Sequence, residues 1–175
     1  MLLRPRTADD LPACLALLRS THERDGYPRY WRSDAEHFLV SATEQAAWVA
    51  ERDEEVVGHV AVHDAAQDPT LAAAQRRTDR SPAALAVVAR LLVSPTLRRA
   101  GVGRSLLQHA TSWAHAQERQ PVLDVLQEAA GARRMYEGLG WQRLEPLVLP
   151  IEGHPPLPLW VYLGPPPPDE QARAG

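Results

Sequence analysis

The stretch over residues 85–141 constrains this chain most. A nearly continuous apolar run, Leu85-Ala86-Val87-Val88-Ala89-Arg90-Leu91-Leu92-Val93, leads through Ser94-Pro95 into Arg98-Arg99-Ala100-Gly101-Val102-Gly103. An amphipathic pattern follows, with Val102, Leu106, Leu107, Ala110, Trp113 and Ala114 on one helical stripe. A strand that passes through a glycine-bearing turn into a helix gathers free N–H groups and the positive end of a helix dipole in one place. Glycine also lets the backbone approach a ligand closely. The pattern predicts an anion seat suited to a diphosphate. A dinucleotide-binding turn does not fit, because its third-glycine position is Leu106 and no βαβ unit precedes it. A P-loop does not fit either, since no Gly-Lys-Ser/Thr follows. Taken alone, the hexapeptide suits a glycine-softened turn with solvated arginines equally well.

Around this stretch the chain predicts an α+β fold. Residues 2–6 suit a first strand. A helix then starts at Thr7 or Asp10 and runs to about Arg19, and a second follows a Ser33/Glu36 capping-box pattern. Residues 46–51 and 56–63 read as paired strands around Asp53-Glu54, with Val56, Gly58, Val60 and Val62 on one face and Val57, His59, Ala61 and His63 on the other. A long polar connection over 64–84 carries a short helix near 70–77. Beyond residue 118 the pattern gives a strand at 121–126, a helix carrying Ala132, Met135, Tyr136 and Leu139, and two last strands at 141–149 and 157–163. This order suits a mixed, mostly antiparallel seven-stranded sheet flanked by about four helices.

The 175 residues are 45% hydrophobic and 23% charged, enough for a sizeable core. Residues 1–164 are expected to form one domain, and 165–175 a proline-rich, disordered tail. The formal net charge of −3 argues against broad nucleic-acid binding. A single cysteine, Cys14, excludes an intrachain disulfide and fits a reducing compartment. Its helical spacing with Leu11, Leu15 and Leu18 favours apolar filler over a nucleophile. No apolar run approaches the roughly 20 residues of a membrane span, and the N-terminal one is too short for a signal peptide. A cytoplasmic protein without membrane or nucleic-acid partners is expected.

Two blocks then carry a resemblance. Arg98-x-x-Gly101-x-Gly103 resembles the acyl-CoA signature of the GNAT-superfamily N-acetyltransferases. Ala132-Arg133-Arg134-Met135-Tyr136-Glu137-Gly138-Leu139-Gly140-Trp141 is similar to that family's tyrosine helix and its Leu-Gly-aromatic exit. The resemblance covers about residues 2–163. It implies acetyl-CoA as acyl donor, a primary amine on a small molecule or peptide as acceptor, direct attack in a ternary complex, and no metal. Leu91, Leu92 and Val93 match the strand end whose backbone pairs with the pantetheine arm. Arg98, Arg99, Ala100, Gly101, Val102, Gly103 and Arg104 match the pyrophosphate loop. Tyr136 matches the tyrosine that protonates the departing thiolate, a phenol near pKa 10 serving a thiol near 8.5. Its place on the apolar stripe suits a core tyrosine too, and the two roles are compatible. Seven residues before it stands Ala129, where the family commonly has asparagine.

On the acceptor side, the resemblance points to the region between the first two helices. His22, Glu23, Tyr27, Tyr30 and Trp31 could wall an amine or acyl chain, or cap the core. The proton of the attacking amine needs a base, and His59, His63, Asp64 and Glu51 are candidates, with His22, Glu23 and Asp25 further off. None is singled out by sequence. His59 and His63 stand roughly 13 Å apart along a strand, too far for a shared metal. A silent acyl-CoA sensor on the same fold is the rival reading, and a homodimer stays open.

Overall fold

The computed structural model describes residues 1–97 and 100–167. Arg98, Arg99 and the tail from Pro168 onward lie outside the described residues. Seven strands form one hydrogen-bonded sheet in the order β1-β2-β3-β4-β5-β7-β6. They are β1 (Leu2–Pro5), β2 (Glu44–Arg52), β3 (Glu55–Asp64), β4 (Leu85–Val93), β5 (Gln120–Leu126), β6 (Gln142–Ile151) and β7 (His154–Leu163). The β1–β2, β2–β3, β5–β7 and β6–β7 pairs are antiparallel, and β4–β5 is parallel. Among the described residues there are five α-helices rather than about four: α1 (Leu11–Asp25), α2 (Ala35–Leu39), α3 (Leu71–Thr78), α4 (Val102–Ala116) and α5 (Ala130–Glu137). The chain divides into two compact units, Met1–His63 with Ala89–Ala110, and Asp64–Val88 with Thr111–Gly175.

In the first unit, both expected helix starts are used in succession. Thr7 caps a 3-10 turn at Ala8–Asp10, and Asp10 then caps α1, whose second position is Pro12. The helix does not stop at Arg19. It runs to Asp25 and ends on Gly26 in the left-handed conformation at φ +67°, so His22 and Glu23 sit in its last turns. The Ser33/Glu36 capping box does not form. Asp34 is the N-cap of a five-residue α2, and its carboxylate is held by Arg32 at 2.8 Å instead.

The core here joins Cys14, Leu17 and Leu18 of α1 to Leu39, Val49 and Leu92, with Tyr27, Trp31 and Phe38 packed against it. Burial pushes the Cys14 thiol up to about 11, as the apolar-filler reading requires. Asp53 and Glu54, at φ +52° and +67°, make the β2–β3 hairpin turn without glycine. The alternation expected along β3 breaks at one point. Ala50 faces Gly58 but Glu51 faces Val56, so Val57 is a bulge and Val56 joins the α1–α2 core. Gly58 keeps the other face, where a Cβ would meet Leu106 Cδ1 at 2.7 Å and Val102 Cγ1 at 3.0 Å. Glycine thus lets α4 lie close against β3, and Trp48 braces the same face edge-on to His109 at 5.0 Å.

In the second unit, β4 meets β5 through Leu85, Ala86 and Val87 against Gln120, Pro121 and Val122, and β5 continues beside β7. The side chain of Gln120 donates to the Gly164 carbonyl at 2.8 Å and accepts from Arg80 at 3.0 Å, closing this part of the core with satisfied polar groups. The β6–β7 hairpin is longer at both strands than the sequence pattern suggested, because prolines in its arm interrupt the alternation without ending the ladder.

Candidate functional site

In the first unit, β4 delivers its last residues to the glycine turn. The Leu92 side chain is committed to the α1–α2 core, so its peptide groups are what it can offer a ligand. Ser94 N–H donates to the Val57 carbonyl at 2.8 Å and anchors the strand end. Gly101 adopts φ +82°, and a Cβ built there would meet nothing within 4 Å. The residue is glycine for its backbone conformation, and the space beside it is open. Its carbonyl accepts from Ser105 N–H at 3.0 Å, the first bond of α4. The N–H groups of Val102, Gly103 and Arg104 therefore belong to the first turn, where helix amides lack intrahelical partners and the dipole favours an anion. Arg104 is exposed beside them. Gly101 and the head of α4 stand where the sequence pattern put the turn and the helix; Arg98 and Arg99 lie outside the described residues.

The two histidines of β3 are not free bases. Arg6 Nη1 stands 3.1 Å from His59 Nε2 and can only donate, so Nε2 accepts and Nδ1 carries the proton, donated to the Arg90 carbonyl at 3.0 Å. Arg6 is itself paired with Glu44 at 2.6 Å. Burial, with the nearby arginines, pulls the His59 imidazole down to about 4, and His63, beside Thr43 at 3.0 Å, is pulled to about 4 for the same reason. Both are buried and neutral at pH 7. The other candidates are engaged as well. Glu51 accepts from Arg4 at 2.8 Å, and Asp64 accepts from Ala66 N–H at 2.7 Å.

Arg90 is the residue that sequence reasoning passed over. It sits in mid-strand at φ +54°, with Nε donating to the Phe38 carbonyl at 2.7 Å and its guanidinium 3.7 Å from the centre of the Phe38 ring. The signal was available: one arginine interrupts an otherwise apolar strand.

Of the proposed acceptor wall, His22 and Trp31 come together at 5.3 Å, and Arg19 lies 4.7 Å above the Trp31 ring. Trp31 lines an open groove of about 780 Å³ with Leu15, Arg19, Asp34, Glu36 and His37. Tyr27 turns toward Phe38 and the core instead, Tyr30 is half-buried, and Glu23 is exposed on α1. His22 Nδ1 is held by the Pro28 carbonyl at 2.7 Å.

In the second unit, Tyr136 is buried on α5, its ring 6.1 Å from Trp141 and 5.7 Å from Tyr162. The Leu-Gly-aromatic exit has a local cause. Trp141 N–H bonds to the Tyr136 carbonyl at 3.1 Å, and Gly140 N–H to that of Glu137 at 3.1 Å, with Gly140 at φ +80°. This is a Schellman motif, and the Tyr136–Trp141 contact is its usual hydrophobic clasp. Tyr162 donates its hydroxyl to Glu137 at 2.7 Å and so frames the tyrosine from the other side. Ala129 is the N-cap of α5 and has no side chain to offer the helix. Ala129→Asn should raise stability by about 1 kcal/mol by capping α5. A thermal melt would then show a midpoint roughly 3 °C higher, and no shift would mean that the first turn is already satisfied.

Among the described residues, no group of His, Cys, Asp and Glu could hold a metal, and no helix is long and apolar enough to cross a membrane. The chain resembles the ribosomal-protein-S18-alanine N-acetyltransferase of Escherichia coli, at 16% identity and TM-score 0.68 over 94% of this chain and 92% of that one. It resembles the ribosomal-protein-alanine N-acetyltransferase of Brucella melitensis at 19% identity and TM-score 0.70, covering 93% and 98%. Arabidopsis thaliana NAA60 in complex with acetyl-CoA gives 18% identity and TM-score 0.70, covering 93% and 96%. No curated protein sequence matches the chain. The sequence profile of the acetyltransferase (GNAT) family matches residues 11–141, well over half of the chain. With the mixed sheet and the glycine turn at the head of α4, the chain belongs to that acetyltransferase (GNAT) family.

Proposed function

We propose that this chain transfers an acetyl group from acetyl-CoA to a primary amine by direct attack in a ternary complex. The observation that carries the reading is Gly101, left-handed with open space beside it, at the head of a helix, where first-turn amides lack intrahelical partners and favour an anion. In this reading those amides and Arg104 hold the diphosphate. The backbone of Leu91, Leu92 and Val93 pairs with the pantetheine arm, and Tyr136 protonates the departing thiolate. The thioester supplies an activated acyl group, and the protein's part is to orient it and manage one proton at each end. The structures it resembles include two named ribosomal-protein-alanine N-acetyltransferases and one named for phosphinothricin N-acetylation. A small-molecule or peptide amine is accordingly the acceptor class we assign.

Calorimetry with acetyl-CoA tests this. The unmodified protein should bind, and Gly101→Asp should bind at least tenfold more weakly, because it strains a backbone at φ +82° and sets a carboxylate in the anion seat. Absence of binding by the unmodified protein would overturn the reading. A catalytically silent acyl-CoA sensor draws support from the engagement of Glu51, His59 and Asp64, which leaves the amine's proton without an assigned acceptor. A panel of amines with free-thiol detection separates the two, since a sensor binds the thioester and never releases CoA.

A further inference from the structure

We infer that His59 is a positioning residue for the cofactor-binding strand end, acting by holding Arg90 in a left-handed kink. This rests on the reading of residues 91–93 as the pantetheine edge. Arg90 is the one strand residue among the positive-φ positions of the described chain; the other non-glycine cases fall in turns or at helix ends. A non-glycine residue resists this conformation, so something must hold it. Three contacts do so: His59 Nδ1–H to its carbonyl, its own Nε–H to the Phe38 carbonyl, and its guanidinium over the Phe38 ring.

The holder is itself held. Glu44 fixes Arg6, Arg6 fixes the His59 tautomer, and the tautomer supplies the proton that the Arg90 carbonyl accepts. Arg6 just after β1, Glu44 of β2, His59 of β3 and Phe38 of α2 thus all bear, directly or through one another, on the single residue Arg90. That is far more than a solvated strand arginine requires. The kink falls immediately before Leu91, and a rotation of φ at that point re-aims the peptide groups of every residue that follows until Ser94 is anchored on Val57. Since those peptide groups are the only part of Leu92 available to a ligand, the direction set at Arg90 decides whether the strand end meets the pantetheine amides. His59 touches neither donor nor acceptor in this scheme, and its loss acts through Arg90.

The test separates the kink from the side chain. Arg90→Gly and Arg90→Ala both remove the guanidinium, but only glycine takes φ +54° without strain. Arg90→Gly should bind acetyl-CoA within about threefold of the parent, and Arg90→Ala roughly tenfold more weakly. His59→Leu should weaken binding in the parent, and should do so much less in the Arg90→Gly background, whereas the conservative His59→Gln, which can still donate to the Arg90 carbonyl, should recover most of the affinity. Equal binding by the glycine and alanine variants would overturn the inference, as would an undiminished His59→Leu effect in the glycine background. Hydrogen exchange of the amides of residues 91–93 in the ligand-free protein gives a readout independent of cofactor. Faster exchange in Arg90→Ala than in Arg90→Gly is expected, and equal exchange counts against the kink. If the parent binds no acetyl-CoA, the functional reading falls while the exchange comparison still decides this one.

Discussion

Tyr136→Phe should lower turnover about a hundredfold while leaving acetyl-CoA affinity and folding stability close to the parent's. The substitution is informative because of what it keeps. The Tyr136 ring clasps Trp141 across the Schellman turn and packs on Tyr162, and phenylalanine preserves both contacts. Only the hydroxyl goes. A general acid typically contributes between about a hundredfold and ten-thousandfold, and the lower figure fits a thiolate that is already a fair leaving group. The pH dependence supplies the second readout. If the phenol is the acid, the parent's rate falls at alkaline pH as the proton is lost, and the phenylalanine variant shows no such limb. Tyr136→Ala would not serve, because emptying a buried aromatic site costs on the order of 3 kcal/mol or more and confounds turnover with folding. Unchanged turnover in the phenylalanine variant would leave Tyr136 as a packing residue and nothing more.

The parts of the fold that were legible are those whose cause is local. The apolar run of β4, the turn at Gly101 and the stripe of α4 each follow from residues within a few positions of one another, and they stand where the sequence placed them. The exit from α5 is local too, since Gly140 and Trp141 complete a motif written in six residues. The end of α1 was hidden because residues 20–25 are all polar, and the stop signal, Gly26, followed a stretch without apolar spacing. The cap of α2 was misplaced because Ser33 and Asp34 are both capping residues, and the competition between them is settled by their surroundings.

The histidines show the limit most plainly. Whether His59 is a base or a tether depends on Arg6, which is 53 residues away in sequence, and on the carbonyl of Arg90 in a different strand. No spacing rule carries that. The bulge at Val57 belongs to the same class: one extra residue in β3 changes which valine faces α1 and α2, and only the pairing with β2 reveals it. The candidate motifs are therefore legible along the chain, at Gly101 and at Tyr136, while the contacts that join Arg6, Glu44, His59 and Arg90 are not.

That convergence carries a cost in acid, and the second large effect follows from it. His59 and His63 are neutral in the fold and pulled down to about 4 by burial, while an unfolded chain titrates its histidines near 6.5. Between these values the unfolded state binds protons that the folded state refuses, so stability is complete above about pH 6.5 and is lost as the pH falls toward 4. His59 alone should account for on the order of 3 kcal/mol across that window, and His63 adds to it in the same direction. The groups facing His59 make charging it worse: Arg6 and Arg90 are both cationic, and the carboxylate of Glu44 is already engaged by Arg6. Asp10, held low chiefly by its bonds to Arg4, stays ionised throughout and contributes its loss only at more acid pH. Urea midpoints measured from pH 7.5 to 4.5 should therefore fall steeply, and His59→Gln, which carries no ionisable ring, should flatten the profile to the share that His63 retains. A His59→Gln profile as steep as the parent's would assign the acid step to other groups and remove His59 from it.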